Sequence, residues 1–288
     1  MVFENIPRSV GFLYGLIVII LAAYLWYSGR WKQKVGWLLL VISVILGFAI
    51  FAPVMPYQFE QMVLGNEQAM ESPIIVGLVG LLVLTILTLL FGRFFCGYIC
   101  PAGCAQEIAY YVPVGKIRIK QKIIFMTIRA TFTIIFLMLV FLFSFSLLAF
   151  FGIRDFFYML PTAGAAVFFV ILLISTKFYR PFCRLACPVG LIFSVAGWKS
   201  LFKVSRTDAC IKCRKCRNVC PADEAGDNDQ KAECYLCGRC IEVCPVKGAI
   251  RFERQKSGRK AQPVSHLIKN PREVSRTQQG EPEGKSEE

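Results

Sequence analysis

Long apolar runs separated by short charged loops dominate the chain. Residues 10–27, 35–52, 73–91 and 130–151 contain no Asp, Glu, Lys or Arg, and residues 161–176 form a shorter run of the same kind. A hydrocarbon core about 30 Å thick takes about 20 helical residues to cross, so five transmembrane helices are expected. Arg8 precedes the first run as it would in a signal peptide. However, Arg30, Lys32 and Lys34 follow it at once with a second span close behind, which suits an uncleaved anchor. Residues 116–129 mix basic and apolar positions. They are expected either to lie on the inner membrane surface or to extend the fourth helix inward with snorkelling Lys and Arg. The run 189–198 is too short to span and reads as an interfacial or re-entrant helix.

Charge orients these spans. Lys and Arg gather in alternate loops: Arg30 to Lys34, Arg93 to Arg129, and Lys177, Arg180, Arg184 and onward. The loop 53–72 has neither, and carries Glu60, Glu67 and Glu71. The positive-inside rule puts the basic loops and everything after the fifth run in the cytoplasm, with the N-terminus outside, in the cytoplasmic (inner) membrane of a cell. Of 288 residues 56% are hydrophobic and 25 are Phe, which excludes an ordinary soluble domain. The net charge of +14 would suit nucleic acid, but its segregation by loop ties it to the membrane, and no nucleic-acid partner is expected.

Eight of the thirteen cysteines fall between Cys210 and Cys244 in two runs of identical spacing. Cys210, Cys213, Cys216 and Cys220-Pro221 make the first; Cys234, Cys237, Cys240 and Cys244-Pro245 make the second. This is the bacterial ferredoxin pattern, in which the fourth cysteine of each run ligates the other run's cluster. Two [4Fe–4S] clusters are therefore expected, one on Cys210, Cys213, Cys216 and Cys244, the other on Cys234, Cys237, Cys240 and Cys220. Zinc knuckles are the alternative, but they use four ligands with longer gaps between pairs. Lys212, Arg214, Lys215 and Arg217 lie within the first run, where positive charge favours a reduced cluster and attracts acidic redox partners. The linker with Asp223, Glu224, Asp227, Asp229 and Glu233 has the opposite sign. So short a domain cannot bury a large core, so its clusters should supply much of its folding energy.

The fold expected is therefore mainly α. Residues 1–199 form a polytopic helical membrane domain, 200–254 a small α+β ferredoxin-like domain with two [4Fe–4S] clusters, and 255–288 a polar tail expected to be disordered.

Two more cysteine pairs follow the third and fifth runs. Cys96 and Cys100-Pro101-Ala-Gly103, then Cys183 and Cys187-Pro188-Val-Gly190, both read Cys-x3-Cys-Pro-x-Gly. An even number of spans separates them, so both belong on the side of the ferredoxin domain. A spacing of four puts each pair on one helical face, with Pro and Gly then breaking the helix. With these motifs, Gln106, Glu107 and both ferredoxin runs in order, residues 92–245 resemble the NapH/NosR/CcoG-type membrane polyferredoxins. Tyr98 stands where that family commonly has Trp, and Cys104 where a small apolar residue is expected. The resemblance implies an integral membrane electron-transfer protein, NapH-like in its core, working between the quinone pool and other redox subunits. Its CcoG-like branch implies copper reduction in metallocentre assembly instead, and a non-catalytic cluster-bearing scaffold or sensor is a third possibility.

Cys96, Cys100, Cys183 and Cys187 are read as ligands of a further iron–sulfur centre or other metal, since thiolates select Fe–S, Cu(I) and Zn. Dithiol–disulfide chemistry, structural zinc and plain buried or lipidated cysteines are the alternatives. Glu107 is a weak candidate proton acceptor beside the first motif. His266 is the one histidine, so no bis-His haem is expected, and no phosphate-binding loop calls for NAD or ATP.

Overall fold

The computed structural model describes residues 9–50, 55–70, 73–117, 122–144, 146–226 and 230–255. Every apolar run contains a helix: α1 (Ser9–Tyr27), α2 (Gln33–Ile50), α3 (Met55–Leu64), α4 (Glu67–Met70), α5 (Ile74–Phe91), α6 (Phe94–Tyr98), α7 (Pro101–Tyr110), α8 (Lys122–Phe143), α9 (Ile153–Phe157), α10 (Ala163–Ser175), α11 (Pro181–Leu185) and α12 (Pro188–Trp198). Two of them, Ile74–Phe91 and Ile123–Phe143, are long and apolar enough to cross a membrane. Only 17% and 28% of those segments is buried in the protein. The other three expected spans form helices of 19, 18 and 13 residues, the last only about 20 Å long. The polar tail expected after residue 255 lies outside the described residues, as do positions 118–121 of the basic segment.

Two expectations change. Lys122–Phe143 is one continuous helix, and within it Arg129 is 1% exposed, so this arginine is locked in the interior and does not snorkel. Within the Lys- and Arg-free loop, for which the sequence offered no element, residues 55–64 form α3, whose Met55, Pro56, Tyr57, Glu60 and Gln61 are buried.

After α12 the chain enters a hairpin. Strands β1 (Phe202–Arg206) and β2 (Ile250–Arg254) pair antiparallel with Val204 opposite Phe252 and Arg206 opposite Ile250. All the residues between, with α13 (Lys215–Val219) and α14 (Arg239–Glu242), form one loop closed at its base by this pairing. The hairpin does not stand alone. Phe252 packs edge-on against Trp26 and Phe94, each 5.9 Å away, and Phe202 lies 5.8 Å from Phe91. Val204, Ile250 and Phe252 thus belong to the same core as α1, α5 and α6, and the chain up to Gln255 is one compact unit. The small domain thus also draws apolar contacts from the helices, beside the folding energy expected from its clusters.

A buried ion network completes the junction. Glu233, from the Cys-rich loop, accepts from Arg129 Nη2 at 2.7 Å and lies 3.1 Å from Arg93 Nη1, and both guanidiniums also donate to Ser194 Oγ of α12. Burial pushes the Glu233 carboxyl up, but Arg93 and Arg129 more than reverse this and hold it at about 2. Replacing Glu233 by Ala strands two buried cations, and we expect a loss of about 3–5 kcal/mol. The check is proteolysis, in which residues 202–255 should become cleavable while α5 and α8 stay protected; unchanged protection would mean that the aromatic contacts suffice. The folded value lies below the unfolded one of about 4.3. The contribution is therefore complete above about pH 4.3 and is lost as pH falls through about 2.

Candidate metal centres

Each Cys-x3-Cys-Pro motif is built the same way, and not as one helical face. Cys96 and Cys183 sit in the five-residue helices α6 and α11, which end before the second cysteine of each pair. Cys100 and Cys187 are extended N-cap residues (ψ 114° and 112°), and Pro101 and Pro188 open the next helix at its first turn. Proline belongs there because its missing N–H has no partner in a first turn anyway. The prolines therefore start α7 and α12, where a helix break was expected, and Gly103 and Gly190 lie inside them.

These motifs are not at the edge of the bundle. Ser43 Oγ donates to Tyr98 O at 2.6 Å, and a Cβ on Gly47 would lie 2.5 Å from Pro101 Cβ. Ser43 and Gly47 are ten and fourteen residues along α2 from Gln33, or about 15 and 21 Å by helix rise. At that depth Cys96, Cys100, Cys183 and Cys187 line a single cavity of about 350 Å³. Met55 and Pro56 of α3 line it as well, a contribution that nothing in the sequence of a Lys- and Arg-free loop announced. Cys104 is buried but does not line this cavity, and its Sγ is 4.0 Å from Gly97 O.

N–H groups approach the sulfurs, among them backbone amides of Ala102 and Gly103 at Cys100. Gln106 Nε2 donates to Cys183 Sγ at 3.3 Å, the Gly190 amide to Cys187 Sγ at 3.3 Å, and Arg93 Nη2 lies 3.9 Å from Cys96 Sγ. Gln106 is fixed for this by its own bonds, from Nε2 to Ala102 O and from the Phe182 amide to its Oε1.

In the Cys-rich loop, Cys210, Cys213, Cys216 and Cys244 line a cavity of about 330 Å³. Cys220, Cys234, Cys237 and Cys240 line a second of about 610 Å³, which Cys216 also borders. The fourth cysteine of each run thus stands with the other run. Burial pushes the Cys234 thiol up to about 12 and the Cys220 thiol to about 11. Such thiols are poor nucleophiles at neutral pH, and a metal would have to displace their protons on binding. All thirteen cysteines are free, and among the described residues no three Cys, His, Asp or Glu side chains are close enough to hold a single ion.

The two cavities of the loop share a wall, and a tyrosine cluster links the nearer one to the cavity in the bundle. Arg206, Cys216 and Ile250 line both cavities of the loop. Tyr110, Tyr179, Ala222 and Tyr235 pack together between Cys96 and Cys220. The guanidiniums of Arg93 and Arg180 stack on the Tyr235 ring, 4.4 and 4.5 Å from its centre. Glu107 accepts from Arg180 Nε at 2.8 Å and Arg239 Nη2 at 2.6 Å. Burial raises its pKa, but the two arginines more than reverse this and hold it below the usual carboxylate range. It is an ion-pair anchor between α7 and the loop, and a proton-acceptor role would require it to release an arginine. Buried Arg93, Arg129 and Arg180 and partly buried Arg239 thus share two carboxylates, Glu107 and Glu233, beside the thiols. Glu224 and Glu233 are buried, so these members of the acidic linker are internal partners and not a surface of opposite sign.

Duplicated helix–short helix–Pro-helix units and converging thiols define the class as an iron–sulfur protein. A family model described as a 4Fe-4S binding domain matches the chain twice, over residues 73–120 and 160–207. Those stretches contain the two Cys-x3-Cys-Pro motifs and end before Cys210. The uncharacterized protein MJ0750 of Methanocaldococcus jannaschii is 30% identical over 170 residues, covering 52% of this chain and 70% of that protein. MJ0749 of the same organism is 27% identical over 175 residues, 58% of this chain and 67% of its own. YccM of Escherichia coli K12, named for a proposed role in electron transport, is 36% identical over 69 residues, 24% of this chain and 19% of its own. The chain belongs to the family of MJ0750. No solved structure matches it.

Gly97 tests how closely the motif and the loop must approach, since a Cβ there would lie 2.5 Å from Tyr235 O. Gly97→Ala should force the loop off α6 at a cost of about 1–3 kcal/mol. Iron retained per chain during dilution reads this out, and a variant that keeps iron as well as the parent would mean the loop can shift without loss.

Proposed function

We propose that the chain is a multi-pass membrane protein that carries electrons through three iron–sulfur centres in series, and that it resembles the NapH-like proteins in this. The observation that carries the reading is the row of thiol-lined cavities, two sharing a wall and the third linked to them by a tyrosine cluster. One cluster is assigned to Cys210, Cys213, Cys216 and Cys244, and a second to Cys220, Cys234, Cys237 and Cys240. A third centre is assigned to Cys96, Cys100, Cys183 and Cys187.

Zinc holds thiolates about 2.3 Å from the ion, which draws them together. Four thiols around an open cavity suit a polynuclear group better. The local charge supports the same choice, because four arginines share two carboxylates there and a thiolate-ligated cluster brings negative charge. So does the family description, which attaches to the stretches holding these motifs. Bound there, the clusters would supply one-electron transfer. The protein's part is to hold the sulfurs, keep water out and donate N–H groups to them.

Five spans with the Cys-rich loop on the cytoplasmic side follow from the charge pattern. The third centre then lies at mid-depth, where a membrane quinol can deliver two electrons to a chain of one-electron centres. Anaerobically purified protein should hold about 12 Fe, at about four per cubane, and Cys100→Ala with Cys187→Ala should leave about eight. Menaquinol should elicit reduced-cluster EPR signals in the parent. About eight Fe in the parent, or copper that disappears with those substitutions, would overturn the third cluster in favour of a ferredoxin anchor or a copper site.

Gln106→Leu removes a donor to sulfur without touching a ligand. A charge-assisted bond contributes about 1.5 kcal/mol, and about 1.4 kcal/mol corresponds to 59 mV for one electron. The potential of one centre should therefore fall by roughly 60 mV, with the other two unmoved in a redox titration followed by EPR.

A further inference from the structure

We propose that the surface around Cys213 is the docking site for an acidic, water-soluble one-electron carrier protein. The proposal rests on the three-centre reading and adds where electrons meet the soluble phase.

Among the described residues Cys213 is the one exposed cysteine, whereas Cys100, Cys183 and Cys187 are buried and Cys96 is partly so. The cavity it shares with Cys210, Cys216 and Cys244 is thus the place where a cluster edge can reach solvent. Lys212, Arg214, Lys215 and Arg217 surround it, all exposed. Exposed Lys247 adds to them beside Val246, another residue of that cavity's wall. Opposed to these five cations is exposed Asp208, while Asp223 pairs loosely with Arg217 at 4.0 Å. Lys212 and Arg214 hold left-handed backbone (φ 54° and 60°), so the loop turns sharply there between its ligands. Ile211, 48% exposed, gives the cationic ring an apolar centre. An apolar centre with a charged rim is how a transient interface combines a contact point with long-range steering. The contrast with the arginines around the third cavity is informative, since those are buried against carboxylates and tyrosines and can attract nothing from solution.

In the transfer itself one electron passes between the carrier's redox group and the cluster at Cys213. One is oxidised and the other reduced by the same electron, with no bond made.

The test uses full-length holoprotein in nanodiscs of neutral lipid, reduced with dithionite. Two oxidants of opposite charge are compared, cobalt(III)-EDTA, an anion, and cobalt(III)-tris-phenanthroline, a cation; each takes one electron to become cobalt(II). Binding of oxidised flavodoxin, an acidic carrier, is measured on the same sample. The anion should react faster relative to the cation at low salt, with the preference collapsing at high salt. Lys215→Glu, Arg217→Glu and Lys247→Glu together should lower the anion's rate at least tenfold, raise the cation's, and abolish flavodoxin binding. Iron content and midpoint potentials of the variant establish that the clusters are intact. A second set with Gln at the same positions should fall between parent and reversal. Rates blind to oxidant charge in protein with its full iron would overturn the docking site and leave the three-centre reading standing. Loss of anionic-vesicle contact in the variants, with oxidant rates and flavodoxin binding unchanged, would make the patch a lipid contact and overturn it too. Absence of iron at Cys210–Cys244 would instead overturn the three-centre reading.

Discussion

Two buried carboxylates, each shared by two arginines, hold this structure in register. Glu233 ties the Cys-rich loop to Arg93 and Arg129, and Glu107 ties α7 to Arg180 and to Arg239 of the loop. A buried ion is tolerated only where partners and hydrogen bonds replace the water it has lost. Here each ion comes from a different part of the chain: the start of α6, α8, the turn before α11, the loop. No element can move without stranding a charge. The network therefore fixes where the three sets of thiols stand relative to one another, a constraint that apolar packing alone would enforce less strictly.

The same groups set the electrostatics of the path. The arginines that fix Glu107 and Glu233 also cover Tyr235 and lie beside Cys96, between the cavity in the bundle and the nearer cavity of the loop. Negative charge arriving there meets fixed cations that need no reorganisation. The N–H groups of Gln106 and Gly190 act at shorter range in the same sense. Rigidity and tuning thus come from one set of residues, which is an economical arrangement for a protein that moves electrons and not atoms.

Much was legible in the sequence. The ferredoxin runs, the repeated Cys-Pro motif and the helical runs all depend on spacing within a short stretch of chain. What was misjudged depended on contacts between distant segments. The motif prolines read as helix breakers because local statistics do not distinguish a last turn from a first, and only α7 and α12 show that they open helices. Arg129 reads as a snorkelling residue in its own helix and becomes a buried partner once Glu233, 104 residues away, is placed beside it. Glu233 likewise reads as one member of an acidic linker until Arg93 and Arg129 meet it. Gln106 and Glu107 stood out only as part of a motif, with no local signal for the sulfur and the two arginines they meet.

By itself the sequence determined the helical runs, the grouping of twelve cysteines into three sets of four, and the asymmetry of charge between loops. Each is a matter of residue type and spacing, which ligand chemistry and the bilayer read directly. The tertiary structure decided the depth of the Cys-x3-Cys-Pro cavity within the bundle, its lining by α3, and the order in which the three cavities follow one another. Those depend on which distant surfaces bury one another, and here the pairing of Glu107 and Glu233 with four arginines from separate segments favours that arrangement.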